Sequence, residues 1–139
     1  MSIAYRWRGP FASAEVSALH AEAFGADACD DSGQDPDWAT MTGRYSLGWV
    51  TARDVAGLAG FVNVVWDGSA HAWLQDVMVA GRVRRRGVGT ALVTRARDGA
   101  RVAGCEYLHV DFEDRLRPFY LGACGFSPTS AGLLKLEAS

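Results

Sequence analysis

The middle of the chain constrains the fold most, because three strand patterns in a row are followed by one helix pattern and a further strand pattern. Residues 47–53, 58–66 and 70–79 are rich in β-branched and aromatic side chains and are separated by turn signals. This pattern predicts three strands, and the Asp67-Gly68 pair between the last two is typical of a tight hairpin turn. We therefore expect an antiparallel meander.

A strand-helix-strand unit extends this meander. Small or apolar side chains recur at helical spacing over residues 87–103, and residues 107–112 form the next strand pattern. Such a unit predicts a parallel strand pair joined by a right-handed crossover. The expected fold is a single α/β domain, with a mixed, mostly antiparallel sheet that is flanked by helices and whose parallel strands splay apart. The remaining predicted elements are helices over residues 11–24, 38–43 and 115–124, and a last strand pair at Phe126 and residues 133–136.

Length and composition agree with one ordinary globular domain. The 139 residues suit a single core, and 49% apolar with 22% charged residues is typical of a compact protein. No run of about 18 apolar residues predicts a membrane span, and the first residues lack a secretory signal pattern. The three cysteines form an odd set without metal-ligand spacing, so neither a disulfide framework nor a metal site is expected. These features predict a cytoplasmic protein without a membrane partner.

The loop between the third strand and the long helix carries the strongest functional pattern. Three arginines, Arg84, Arg85 and Arg86, stand directly before the Gly87-Val88-Gly89 segment. A helix N-terminus presents unpaired N–H groups and the positive end of the helix dipole, and it therefore stabilises a phosphate group. Glycines let the backbone approach an anion closely, and arginines add fixed positive charge. The loop is thus a predicted pyrophosphate site.

Two common phosphate motifs do not fit this loop. The segment lacks the Gly-Lys-Ser/Thr ending of the nucleoside-triphosphate loop, and the dinucleotide motif would need a glycine where Leu92 stands. A solvated basic turn or a nucleic-acid patch is the alternative for the arginines. The formal net charge of −2 gives no overall attraction to nucleic acid, so a nucleic-acid partner is not expected.

The loop instead matches the Arg/Gln-x-x-Gly-x-Gly/Ala signature of the GNAT superfamily, in the form Arg84-Arg85-Arg86-Gly87-Val88-Gly89. A second segment resembles the family's aromatic-Tyr pair, short helix and Gly-Phe, and it reads Leu116-Arg117-Pro118-Phe119-Tyr120-Leu121-Gly122-Ala123-Cys124-Gly125-Phe126. Both motifs occur in the family's order. From about residue 47 onward, the chain resembles an acyl-CoA-dependent N-acetyltransferase.

This resemblance implies acetyl-CoA as the cofactor and an amine, either a small molecule or a peptide, as the acceptor. It also implies direct attack of the amine on the thioester, with Tyr120 as proton donor to the departing thiolate. The strand before the signature would bind the pantetheine arm through its backbone, and the signature backbone would hold the pyrophosphate. The cofactor-binding residues so implied are Val77, Met78, Val79, Arg84, Arg85, Arg86, Gly87, Val88, Gly89 and Thr90.

Several acidic residues are candidates for proton transfer and acceptor binding. Asp76 and Asp111 lie on the two strands that should splay apart, where either carboxylate could take a proton from an attacking ammonium. Glu113 stands where many members of the family carry an asparagine that contacts the cofactor, and it is a candidate for acceptor binding instead. An acidic segment with an adjoining aromatic residue predicts a cationic acceptor, through Asp30, Asp31, Asp35 and Trp38. A solvated acidic loop is the alternative for this segment.

Catalysis itself has one rival among the functions that the sequence allows. A module that senses acyl-CoA without transferring the acyl group would need the same pyrophosphate site. Tyr120 favours the enzyme, because a sensor needs no proton donor beside the thioester. The sequence is compatible with a homodimer and does not specify an oligomeric state.

Overall fold

The computed structural model describes residues 2–25 and 36–137. Within these ranges the chain forms strands, α-helices and short helical turns around one core. The strands are β1 (Ala4–Trp7), β2 (Ser46–Asp54), β3 (Gly57–Trp66), β4 (His71–Val79) and β5 (Tyr107–Val110). The α-helices are α1 (Ser13–Phe24), α2 (Trp38–Tyr45) and α3 (Val88–Val102).

The strands form one mixed sheet in the order β1-β2-β3-β4-β5. β1 to β4 pair antiparallel, whereas β4 and β5 pair in parallel. The hairpin between β3 and β4 is closed by Asp67, whose Oδ1 accepts a hydrogen bond from the Ser69 backbone N–H at 2.7 Å. Gly68 follows with a φ of 81°, a conformation that favours glycine. The predicted fold class is therefore confirmed, with β1 as an additional edge strand.

The helices cover opposite faces of the sheet. A Cβ built on Gly60 would lie 2.9 Å from Leu92 Cδ1, so this face of β3 packs against α3. The next residue, Phe61, points to the other face, where its ring packs edge-on against Trp38 of α2 at 6.2 Å. Val16 of α1 is fully buried on the same core. The sheet is thus the middle layer of three.

Two polar contacts fix α1 against the sheet. Glu15 accepts hydrogen bonds from the Arg53 guanidinium at 2.8 Å, and this bonding lowers the pKa of Glu15 to about 2. At the other end of α1, a Glu22 carboxylate oxygen accepts the Gly81 backbone N–H at 2.5 Å. α1 is therefore tied to β2 and to the loop that follows β4.

The predicted C-terminal strand pair is wrong for the described part of the chain. Residues 125–137 form no strand there, and Leu133, Leu134 and Leu136 expose 91%, 81% and 85% of their surface. Pro128 has no N–H to donate, and Gly132 weakens an extended backbone, so the segment lacks a continuous pairing edge. β5 is consequently the last strand of the described sheet.

Candidate active site

β4 and β5 separate beyond a defined point. Their parallel pairing runs from His71↔Tyr107 to Leu74↔Val110, after which β4 continues to Val79 without a β5 partner. On its other edge β4 stays paired with β3 as far as Val79. The last residues of β4 therefore have main-chain groups that face the gap.

A bulge in β4 shapes this gap. Asn63 pairs with Gln75 and Phe61 with Met78, so β4 carries one residue more than β3 between the two pairs. Asp76 lies in the bulge and has a φ of 59°. A non-glycine residue rarely adopts this left-handed conformation, and a bulge re-aims the side chains around it. Here it places Asp76 on the wall of the gap.

A cavity of about 370 Å³ occupies the gap. The end of β4 forms one wall, the segment after β5 forms the other, and Phe24 at the end of α1 closes one side. All three predicted catalytic residues, Asp76, Asp111 and Tyr120, line this cavity. The structure thus brings together residues that are up to 44 positions apart in the chain.

The Asp76 carboxylate is partly buried in the cavity wall. Burial raises the pKa of Asp76, and the nearby imidazole of His20 on α1 opposes this rise. Among the described residues, Asp76 has no ion pair with an arginine or lysine. A carboxylate that is destabilised in this way binds a proton more readily than one in water, as a general base must.

Tyr120 lies on an unusual helical turn. The sequence predicted one helix over residues 115–124, whereas the structure has a 3₁₀ turn at Asp114–Leu116 and then a π-helical turn at Pro118–Ala123. In this π turn the Cys124 backbone N–H donates to the Phe119 carbonyl at 2.9 Å. Turns of this kind recur at functional sites because they shift a side chain out of helical register.

Aromatic packing holds the Tyr120 ring in place. Phe112 stacks on it at 5.0 Å, and Phe119 packs edge-on at 4.8 Å. Burial raises the pKa of Tyr120 to about 12. Its phenol therefore keeps its proton at neutral pH, so the cavity contains a protonated hydroxyl group.

The two other predicted acidic residues differ in their surroundings. Asp111 lines the cavity and has no ion pair among the described residues. Glu113 also lines the cavity, but its carboxylate accepts a hydrogen bond from Arg115 Nε at 2.8 Å. Because Arg115 already neutralises it, Glu113 is less suited than Asp111 to bind a cationic acceptor.

The signature loop forms an anion-binding geometry at the start of α3. Gly87 is the N-cap residue, and its φ of 77° turns the chain into the helix. Arg84, Arg85 and Arg86 are exposed around it, and Arg85 also has a positive φ of 65°. The first N–H groups of α3 have no partner within the helix, as at any helix N-terminus. Backbone donors and exposed arginines therefore lie in the same short segment.

Gly89 links this segment to the cavity. A Cβ built on Gly89 would lie 3.1 Å from Phe119 Cζ and 3.8 Å from Val79 Cγ2. The first turn of α3 therefore touches both the end of β4 and the residue before Tyr120. The predicted phosphate site and the cavity are therefore neighbours, as a ligand with phosphates at one end and an extended arm at the other requires. The residues suit acyl-CoA, because the open edge of β4 offers its arm main-chain partners.

The structure gives two residues near the candidate site a structural role. Arg82, two residues before Arg84, bonds Asp54 at 2.8 Å and so fastens the loop to the β2–β3 turn. Trp38 is only 2% exposed, and its Nε1–H donates to Ser17 Oγ at 3.2 Å, so we assign Trp38 to the core and not to the acceptor. Asp30, Asp31 and Asp35 lie outside the described residues.

The aromatic side chains of the cavity were not among the residues predicted from the sequence. Phe24 at the end of α1 and Trp73 on β4 both line it. Trp73 alternates along β4 with the buried residues Ala72 and Leu74. This alternation was a signal that Trp73 faces away from the α3 side of the sheet, but it did not reveal that a cavity opens there.

The fold and the cavity point to one class of protein. A sheet that splays at a β4 bulge, beside a glycine-arginine helix start and a buried tyrosine, is the arrangement of an acyl-CoA-dependent transferase. The model of the acetyltransferase (GNAT) family matches residues 13–126. The chain therefore belongs to the GNAT acetyltransferase family.

Solved structures of low sequence identity share this fold. A GNAT-family acetyltransferase from Streptococcus pneumoniae is 18% identical with a TM-score of 0.76, over 99% of this chain and 100% of that one. Glucosamine-6-phosphate N-acetyltransferase from Arabidopsis thaliana is 18% identical with a TM-score of 0.73, over 96% and 98% of the two chains. An aminoglycoside N-acetyltransferase in complex with CoA is 14% identical with a TM-score of 0.72, over 99% and 96%. Comparison with curated protein sequences gives no significant match.

No helix in residues 2–25 and 36–137 has the length and apolar character to cross a bilayer.

Proposed function

We propose that this protein transfers the acetyl group of acetyl-CoA to the nitrogen of an amine by direct attack. The observation that carries the proposal is the cavity at the β4–β5 gap, which joins Asp76, Asp111 and Tyr120 to the start of α3. Acetyl-CoA would supply the acetyl group as a thioester. Membership of the family and the CoA complex of a protein with the same fold support this choice of donor.

Two segments of the chain would bind acetyl-CoA, the donor. The backbone of Gly87, Val88, Gly89 and Thr90, with the three preceding arginines, would hold the pyrophosphate. The open edge of β4 at Val77, Met78 and Val79 would hydrogen-bond the pantetheine arm as a further strand would. Met78 and Val79 remain paired with β3 on the other edge, so the backbone there is already ordered.

Proton transfer would involve opposite walls of the cavity. Asp76 would accept the proton of the ammonium form of the acceptor, directly or through water, and so free the lone pair for attack on the thioester carbonyl. Backbone N–H groups near Met78 would donate to the carbonyl oxygen as it gains negative charge. The carbon–sulfur bond then breaks, and Tyr120 would give its proton to the leaving sulfur. The nitrogen, which is positively charged after the attack, would lose its remaining extra proton through water to the Tyr120 phenolate, which restores the phenol and leaves a neutral amide. We favour Asp76 over Asp111 as the base because burial raises the pKa of Asp76.

Thiol release in the presence of candidate amines tests the proposal. Purified protein should release free CoA thiol only when both acetyl-CoA and an acceptor are present, and mass spectrometry should find the acetylated amine. A panel of amines, amino acids, aminoglycosides and peptides covers the acceptor chemistry. Tight CoA binding without thiol release for any acceptor would instead support the sensor alternative.

A further inference from the structure

We infer that the acceptor is a primary amine on a flat, apolar body that carries no phosphate or carboxylate group. The inference rests on the proposed acetyl transfer and concerns the charge and the surface of the same cavity. It also separates this protein from transferases that take sugar phosphates or free amino acids.

The charge of the cavity wall is acidic. Asp76, Asp111 and Glu113 line it, and in the described part of the chain its lining includes no lysine, arginine or histidine. Arg115 pairs with Glu113, which leaves Asp76 and Asp111 as the carboxylates without an ion pair there. An anionic group on the acceptor would therefore meet like charges on the cavity wall.

The aromatic side chains supply a surface for an apolar body. Phe24 is 48% exposed at the end of α1, and Trp73 is half-buried on β4. Leu74 pairs with Val64, which shares the α3 side of β3 with Gly60, so Trp73 points to the opposite face, where α1 lies. Phe24 and Trp73 therefore line the cavity from the α1 side.

A stack of rings holds Trp73 in position. His109 of β5 lies parallel to it at 4.9 Å, and His109 Nε2 lies 2.8 Å from His71 Nδ1. Tyr107 stacks on His71 at 5.1 Å. A tryptophan fixed in this way binds a flat hydrocarbon surface without losing much rotational freedom. Its nearest cavity carboxylate in sequence is Asp76, three positions along the same strand.

The test compares probes that differ in one group. The probes are 2-phenylethylamine, phenylalanine amide and phenylalanine, together with glucosamine and glucosamine 6-phosphate. Their affinity for CoA-saturated protein is measured by calorimetry, and their kcat/KM by thiol release with acetyl-CoA. We expect 2-phenylethylamine and phenylalanine amide to bind similarly, and phenylalanine to bind about tenfold or more weakly because of its carboxylate. Glucosamine 6-phosphate should bind more weakly than glucosamine.

Variants of the two rings test the apolar surface. Phe24→Ala and Trp73→Ala should each weaken 2-phenylethylamine by about three- to tenfold and leave glucosamine almost unchanged, whereas Trp73→Phe should retain most of the affinity. Phe24 is largely exposed, so Phe24→Ala carries the test if Trp73→Ala does not fold. Val55→Ala, at an 86% exposed apolar position, is the matched control.

The outcomes are separable. Equal or tighter binding of phenylalanine or glucosamine 6-phosphate, or unchanged 2-phenylethylamine affinity in both ring variants, would overturn the inference. Selective amine binding without any thiol release would support the acceptor class and count against acetyl transfer itself.

Discussion

Asp76 combines a left-handed backbone conformation with a buried carboxylate. The bulge that holds it adds one residue to β4 where β5 turns away, so the strain and the gap have the same origin. A sequence pattern of alternating residues does not reveal such a bulge. The position nevertheless decides which way the carboxylate points, and therefore whether it can act on an acceptor.

We expect Asp76→Asn to reduce the pH dependence of stability. Burial raises the pKa of Asp76 in the folded state above its value in the unfolded state. The contribution of Asp76 to the free energy of unfolding is therefore most favourable below the unfolded-state pKa of roughly 3.9, and it is lost as the pH rises through the folded-state pKa. Asparagine cannot ionise, so the variant should lose less stability than the wild type between about pH 4 and pH 8. Thermal unfolding at both pH values measures this, with the exposed Glu106→Gln as control. The same slope in wild type and variant would show that Asp76 titrates as it does in water.

The same variant tests the base assignment. Loss of a general base should lower kcat by roughly 10²–10⁴ at neutral pH, whereas Asp111→Asn should have a smaller effect. The affinity for acetyl-CoA should change little in either variant. If Asp111→Asn were the more damaging substitution, the roles of the two carboxylates would have to be exchanged.

Tyr120→Phe removes one hydroxyl and keeps the ring contacts with Phe112 and Phe119. If Tyr120 protonates the leaving thiolate and this step limits turnover, kcat should fall by roughly 10²–10⁴ with little change in acetyl-CoA affinity. Steady-state kinetics with the best acceptor, and calorimetry with CoA, separate these two quantities. Unchanged turnover would return Tyr120 to a packing role.

At the scale of elements, the start of α3 is where sequence and structure agree best. Gly87 forms the left-handed N-cap, and Arg84 and Arg85 are exposed beside it. We expect Arg84→Ala with Arg85→Ala to weaken acetyl-CoA binding by about tenfold at low salt, and by less at high salt because exposed charges are screened. Arg101→Ala, an exposed arginine in the last turn of the same helix, is the matched control. Equal, salt-independent affinity in the double variant would remove the arginines from the phosphate site.

Long, regular elements could be predicted from sequence to within one residue at either end. β2, β3, β4 and α3 are of this kind, because each spans at least nine residues with a clear period. β1 has only four residues and was missed, whereas the apolar residues near the C-terminus suggested strands that are absent from the described chain. Short segments depend on the partner that pairs with them, which their own sequence does not specify.

The candidate site divides in the same way. The start of α3 could be identified as a candidate phosphate site because its residues are close in sequence and form a motif around Gly87 and Gly89. The aromatic lining of the cavity could not be predicted, because packing of α1 on β4 brings Phe24 and Trp73 to one cavity from positions 49 residues apart. Trp38 was predicted to contact the acceptor because it adjoins an acidic segment, but its side chain is buried.

At the scale of the whole molecule, residues of opposite charge lie at the start of α3 and in the cavity. Exposed arginines surround the start of α3, and carboxylates line the cavity between β4 and β5, while the formal net charge is only −2. A donor that carries phosphates and an acceptor that carries an ammonium would each be drawn to the residues of opposite charge. Such separation favours the correct orientation of both substrates before reaction.

Because of the gap between β4 and β5, we expect acetyl-CoA to stabilise the whole folded domain. Residues 75–79 of β4 lack a β5 partner, so a ligand that spans the gap adds contacts which exist only in the folded state. At 100 times its Kd, acetyl-CoA should stabilise folding by about 2.7 kcal/mol. For a domain of this size, that corresponds to a rise in Tm of roughly 10 °C.

Scanning calorimetry with increasing acetyl-CoA measures this rise. Gly89→Glu is the control, because its side chain would meet Phe119 and place a carboxylate beside the pyrophosphate site. The unliganded variant should fold and show little or no increase in Tm with acetyl-CoA, since the added charge repels the pyrophosphate. If the wild type shows no increase at millimolar acetyl-CoA, the gap does not bind the donor. If Gly89→Glu shows the full increase, the donor binds elsewhere than at the start of α3.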